Sequence, residues 1–221
     1  FACDAYGNPS SLHSLGTVSG EVLENARKII ADSIKALPEE IYFTSGGTES
    51  DNMAIVGAVK ALRRRGNKIV TTAFEHSAII NTMKQLEADG FEVVYLKPDE
   101  SGTVPISAFL DAIDEKTILV SVMSVNNETG CFLPIDKIKK AIVRKNSPAL
   151  FHCDATQSFM KYDINLKKCG IDLLTISAHK IHGPKGVGAL YIKKGVRILP
   201  RTFGGEQEKG LRPGTEPLIL I

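Results

Sequence analysis

The sequence predicts an α/β protein, a mostly parallel sheet with helices on both faces. Three observations carry this. Short Val-, Ile- and Leu-rich runs alternate with segments of helical period. Those runs are apolar almost without interruption, as strands buried on both faces are. Polar and ionisable residues collect just after the runs rather than within them, and in open parallel sheets ligands bind beyond the carboxyl ends of the strands.

The elements follow in order. From Leu15 to Leu37, apolar residues fall at Leu15, Val18, Val22, Ala26, Ile29, Ile30 and Ile34, a helical face that Pro38 closes. "IYFT" (41–44) is a strand, and "SGGTES" opens a helix that carries Met53, Val56, Val59 and Leu62 and stops at Gly66. "KIVTT" is a strand, "SAIINTMKQLEAD" a helix stopped by Gly90, and "FEVVYL" a strand. "PISAFLDAI" starts a helix with Pro105 in its first turn. "TILVSVM" is a strand, "PIDKIKKAIVRK" a helix and "ALFHC" a strand, and "DLLTIS" and "VGALYIK" complete the sheet. With no repeat and no Pro/Gly-rich linker, the chain reads as one domain to about residue 195, followed by a glycine-rich tail.

Composition narrows the classes of partner. The chain has 221 residues, 43% hydrophobic and 24% charged, enough apolar material for a full core. A net charge of +2 gives no reason to expect nucleic acid, and "RRR" at 63–65 reads as a solvated helix C-terminus. No apolar run reaches membrane-spanning length. The cysteines, Cys3, Cys131, Cys153 and Cys169, lack CxxC spacing, so a reducing, cytoplasmic setting is expected rather than a disulfide framework. His152, His179 and His182 have no zinc-site spacing, and no metal is expected.

The strand ends hold the chemistry. After "IYFT" comes Ser45-Gly46-Gly47-Thr48-Glu49-Ser50; after "KIVTT", Glu75-His76-Ser77; after "TILVSVM", Asn126-Asn127-Glu128; after "ALFHC", Asp154-Ala155-Thr156-Gln157; after "DLLTIS", Ala178-His179-Lys180. The glycine pair opening a helix makes an anion cradle of backbone N–H groups, or Thr48 or Ser45 simply caps its own helix. Asp154 at the end of an apolar strand needs a cationic partner. Lys180, partly buried, would have a lowered pKa and attack a carbonyl; alternatively Lys180 and Asp154 pair with each other. His76 reads as a functional histidine or as an ordinary loop histidine. An anion cradle, a lysine, an aspartate, a histidine and side-chain amides together meet the needs of pyridoxal phosphate.

The runs "YGNPSSLH", "FTSGGTESDN", "EHSAI", "NNETG", "DATQS", "SAHKIHGPKGVGALY" and "GGEQEKGLRPGT" resemble, in order and over nearly the whole chain, a cysteine desulfurase of the NifS/IscS type. These enzymes belong to the class V aminotransferase branch of fold-type I pyridoxal-phosphate enzymes. The resemblance implies that residues 1–221 form the pyridoxal-phosphate-binding large domain, with the small C-terminal domain largely absent. It implies that Lys180 carries the cofactor covalently, that Asp154 pairs with its ring nitrogen, and that His76 stacks on the ring and moves protons. Gln157 and Asn127 would address the phenolic oxygen, and Gly47, Thr48, Ser177 and His179 the phosphate. Thr215, in "RPGT", would reach the phosphate of the other subunit of a homodimer, and Asn8 the substrate carboxylate.

The implied reaction takes L-cysteine to L-alanine and passes sulfur, as an enzyme persulfide, to an acceptor or scaffold protein for iron–sulfur clusters or tRNA thiolation. None of the four cysteines matches the family's nucleophile, which lies beyond "RPGT". Cys131 and Cys153 read as small apolar fillers. Other readings are a selenocysteine lyase or another class V enzyme, or a fragment that binds without turnover.

Overall fold

The structure, a computed structural model, describes residues 6–221; Cys3 lies outside them. A seven-stranded sheet is formed by β1 (Ile41–Thr44), β2 (Lys68–Thr72), β3 (Glu92–Leu96), β4 (Thr117–Met123), β5 (Leu150–Asp154), β6 (Leu173–Ser177) and β7 (Gly188–Ile192), in the order β1-β7-β6-β5-β4-β2-β3. Every pairing among β3, β2, β4, β5 and β6 is parallel. β7 is antiparallel to both β6 and β1, so it alone is reversed and β1 runs with the rest.

The helices are α1 (Ser14–Ser33), α2 (Gly47–Leu62), α3 (Ser77–Ala88), α4 (Ile106–Ala112), α5 (Ile135–Arg144) and α6 (Leu166–Cys169). The alternation of side chains along each strand divides the core in two. Ile69, Leu119, Leu173 and Leu190 pack with Met53, Ala58, Ile79 and Met83 of α2 and α3. Val70, Val120, Phe151 and Leu174 pack on the other face with Phe109 of α4 and Ile138 and Ala141 of α5. Both faces are covered, as the apolar strands require.

The first helix departs from its expected geometry. It ends at Ser33, because Lys35 turns into the left-handed region (φ 57) and Ala36 N–H returns to the Ala31 carbonyl at 2.9 Å. Pro38 therefore opens a 3₁₀ turn, Pro38–Glu40, instead of closing the helix. The buried stripe is Gly16, Ser19, Leu23, Arg27 and Ala31, while Leu15, Val18 and Ile29 of the expected face are exposed. The helix is rotated because Arg27 points inward to a carboxylate of the C-terminal tail. Arg27 donates to Glu208 Oε2 and Oε1 at 2.9 and 2.8 Å and to the Ile41 carbonyl at 2.6 Å. That tail, beyond β7, buries Ile198 and Leu218.

Candidate functional site

The carboxyl ends of β4, β5 and β6 and the N-terminus of α2 enclose a cavity of about 220 Å³. Met123, Asp154 and Ser177 are the last residues of their strands and line it. Gly47 and Thr48 come from α2, His76 from the start of α3, and Lys180 from the turn after β6.

The first turn of α2 reaches this floor because glycines let backbone pass over backbone. Gly188 pairs with Thr44 on one side and Ser177 on the other. A Cβ at Gly188 would stand 2.7 Å from Gly46 Cα. Gly46 itself has φ 145, in the region that favours glycine. The helix is anchored by a 2.7 Å hydrogen bond between the Thr44 and Ser50 hydroxyls. Its N-cap is Gly46 and no side chain caps it, so neither Thr48 nor Ser45 acts as the cap that was the alternative reading. The N–H groups at the end of this 16-residue helix are thus open to an anion. Ser177 Oγ and His179 Nδ1, 2.9 Å apart, add polar atoms, with Ser177 close beside Gly46 and Gly47.

Asp154 is buried, and its Oδ1 accepts the Thr156 N–H at 2.8 Å. Burial pushes its carboxyl up, against the Thr156 hydroxyl and N–H bonds and the charge of His76, which pull it down. No ion pair joins it to Lys180 among the described residues, so the mutual-pairing alternative is not what the fold adopts. Lys180 sits in a 3₁₀ turn, Ala178–Ile181, and is exposed. This corrects the expectation of a partly buried lysine: the turn lifts the side chain clear of the strand end. His76 lines the cavity, and its Nδ1 caps α3 by accepting the Ala78 N–H at 3.2 Å.

Of the expected site residues, Gly47, Thr48, His76, Asn127, Asp154, Gln157, Ser177, His179 and Lys180 all line this one cavity. Asn8 and Thr215 do not; both are exposed, and Asn8 Oδ1 accepts the Ser10 N–H at 3.0 Å. Sequence reasoning missed Asp51, Met123 and Val125, and named Thr156 at its strand end without giving it a role. Asp51 had a readable signal, since it follows Thr48 by three positions and so shares its helix face. Glu75, named at its strand end but given no role, is buried and takes the Thr72 hydroxyl at 2.5 Å and the Met123 N–H at 2.9 Å. Burial raises Glu75 to about 8.

The residues fit pyridoxal phosphate on the structure's own terms. The open helix end suits a phosphate, the buried Asp154 would ionise beside a cationic ring nitrogen, and an amine stands at the rim. Cys153 is fully buried on the opposite sheet face, with its thiol pushed well up by burial, so it fills space as expected. Cys131 is half-buried, its thiol donating to the Ser101 carbonyl at 3.6 Å.

Comparison with known proteins shows the family. The model of the family "Aminotransferase class-V" matches residues 1–214. A protein of Bacillus subtilis (strain 168), "Putative cysteine desulfurase IscS 1", is 47% identical over 212 residues, 96% of this chain and 55% of that protein. "Cysteine desulfurase, mitosomal" of Trachipleistophora hominis is 48% identical over 221 residues, 98% of this chain and 50% of its own. Among solved structures, "NIFS-LIKE PROTEIN" superposes with a TM-score of 0.95 at 41% identity, covering 98% of this chain and 60% of its own. "SspA in complex with cysteine" does so with a TM-score of 0.92 at 41% identity, covering 98% and 62%. The chain spans about half the length of these curated relatives.

Proposed function

The chain belongs to the class-V aminotransferase family, and from that premise we propose that it is the cofactor-holding domain of a cysteine desulfurase acting on L-cysteine. One observation carries the reading: a single cavity brings together the open N-terminus of α2, the buried Asp154 and the exposed Lys180. Bound there, pyridoxal 5'-phosphate supplies an aldehyde for the lysine amine and a ring that draws electrons from the carbon beside a substrate amine.

The chain's own residues would act as follows. The N–H groups at Gly47 and Thr48, with Ser177 and His179, bind the phosphate. Asp154, ionised by a cationic neighbour, holds the proton on the ring nitrogen. Lys180 would hold the cofactor through its amine, and its Nζ would be the base for the proton on the substrate α-carbon. Its exposed position leaves room for both roles. His76 covers the ring, while Gln157 and Asn127 orient it through its phenolic oxygen. Met123 and Val125 supply apolar wall and keep water from it. Asn8 would meet the substrate carboxylate. Thr215 would reach the phosphate site of a second copy, which makes the working unit a homodimer. The products are L-alanine and sulfur handed to an acceptor or scaffold protein. Relatives include a mitosomal and a mitochondrial form; the free cysteines Cys131, Cys153 and Cys169 support a reducing compartment here.

The test is borohydride reduction of the protein mixed with pyridoxal 5'-phosphate, followed by peptide mass mapping. A pyridoxyl mass on Lys180, and its absence in Lys180→Ala with the fold retained, is the expected result. A label on a different lysine overturns the assignment.

A further inference from the structure

Asp51 is a second carboxyl in the same cavity, and nothing in its surroundings balances a charge. It lies on α2, is 1% exposed, lines the cavity, and its Oδ1 has no hydrogen-bond partner among the described residues. The base nearest to it is His152, whose Nε2 is 3.7 Å from Asp51 Oδ1, beyond hydrogen-bonding range. That ring is already engaged at both nitrogens, with Ser121 Oγ at 2.9 Å and Thr175 Oγ1 at 3.0 Å. Burial holds the imidazole neutral by pushing it down to about 3. His152 is therefore no counter-ion.

The other titratable groups around Asp51 make the point stronger. Asp154 from the end of β5 and Glu75 from the loop after β2 are both acids, and both act on Asp51 through charge repulsion. The cavity's basic groups, His76, His179 and Lys180, are exposed at its rim, and none forms an ion pair with Asp51 among the described residues. Two buried carboxylates in one cavity cannot both ionise without a cation between them. Burial first, then the charge of Asp154, drives Asp51 well above the usual carboxylate range, against a smaller pull from the Thr175 hydroxyl.

We propose that Asp51 is a positioning residue held as a neutral carboxylic acid, which leaves Asp154 as the one negative charge in the cavity floor available to a cationic ring nitrogen. The inference rests on the cofactor reading above. Its physical content is separate: a proton, rather than a salt bridge, lets Asp51 stay buried. Were Asp51 ionised, it would compete with Asp154 for the same cation and hold Asp154 protonated.

The experiment has two arms. Infrared difference spectra of the cofactor-free protein at neutral pH, wild type minus Asp51→Asn, should show the loss of a carboxylic-acid carbonyl band. Asp154→Asn labelled with carbon-13 aspartate should keep an isotope-shifted acid band, distinct from that of Glu75, and this arm stands if Asp51→Asn does not fold. No aspartic-acid band in either spectrum overturns the proposal. In the second arm, affinity for pyridoxal 5'-phosphate is titrated by fluorescence. Asp51→Asn should stay within about threefold of wild type because no charge changes. A loss of about tenfold or more would show an ionised Asp51 sharing the work of Asp154, and would overturn the proposal. If the wild-type protein takes up no cofactor, the functional reading fails, and the infrared arm alone decides the state of Asp51.

Discussion

Arg27 and Glu208 meet in a buried two-point ion pair across 181 positions of sequence. Glu208 is held there in a left-handed backbone conformation (φ 46), its Oε2 also takes the Phe43 N–H at 2.9 Å, and the guanidinium lies 5.0 Å from the Phe43 ring. One pair thus fastens α1, β1 and the C-terminal tail together.

Removing one partner leaves the other charge buried and unpaired. Arg27→Met or Glu208→Leu alone should cost about 3–5 kcal/mol in a denaturant titration. The double variant, with neither charge, should cost less than the worse single. Limited proteolysis should cut the tail sooner in both single variants. A double variant as unstable as the sum of the singles would show that the contacts matter more than the charges.

Glu75 gives stability a pH dependence. Its folded-state value is about 8 against its usual 4.5, so the folded protein keeps a proton that the unfolded chain releases. This contribution is fully present below about 4.5 and is lost as pH rises toward about 8. The slope is at most about 1.4 kcal/mol per pH unit. Glu75→Gln, which keeps an acceptor for the Met123 N–H, should flatten the curve over that window. An unchanged denaturation profile would show that Glu75 is ionised in the folded protein.

Gly188→Ala should reach the cavity without touching it. The new Cβ would meet the Ile176 carbonyl oxygen at 2.6 Å and Gly46 Cα at 2.7 Å, both backbone. Strain of this kind costs about 1–3 kcal/mol. Relieving it lifts the loop that feeds α2, so cofactor affinity should fall while Asp154 and Lys180 stay in place. Equal affinity in wild type and variant, by fluorescence titration, would refute the link.

Thiol labelling should separate the cysteines. Cys153, fully buried with its thiol pushed up, should react with an alkylating reagent only on unfolding, whereas half-buried Cys131 should react in the native protein. Native labelling of Cys153, read by mass mapping, would reopen it as a nucleophile.

The strands were legible because they are buried on both faces and so are written in Val, Ile and Leu without interruption. The cavity was legible because strand ends collect its residues. What was hidden is long-range. The rotation of α1 depends on Glu208, a partner no local period reveals, and it leaves Leu15, Val18 and Ile29 exposed. The exposure of Lys180 depends on the tight turn from Ala178 to Ile181, and "AHKI" alone does not announce its direction. Spacing puts Asp51 on the face of Thr48, but its burial is not readable there, because His152 and the Ser121 and Thr175 hydroxyls that hold the imidazole come from three separate strands.

The reversal of β7 bears on how the molecule is made. The sole sheet neighbour of β1 among the described residues is β7, so β1 must wait for β7 before it can pair. Closing that long loop is slow in entropic terms, whereas β6 and β7 are close along the chain and meet readily. The parallel centre can therefore assemble early, but the strand that leads into α2 stays unpaired until Gly188 arrives beside Thr44.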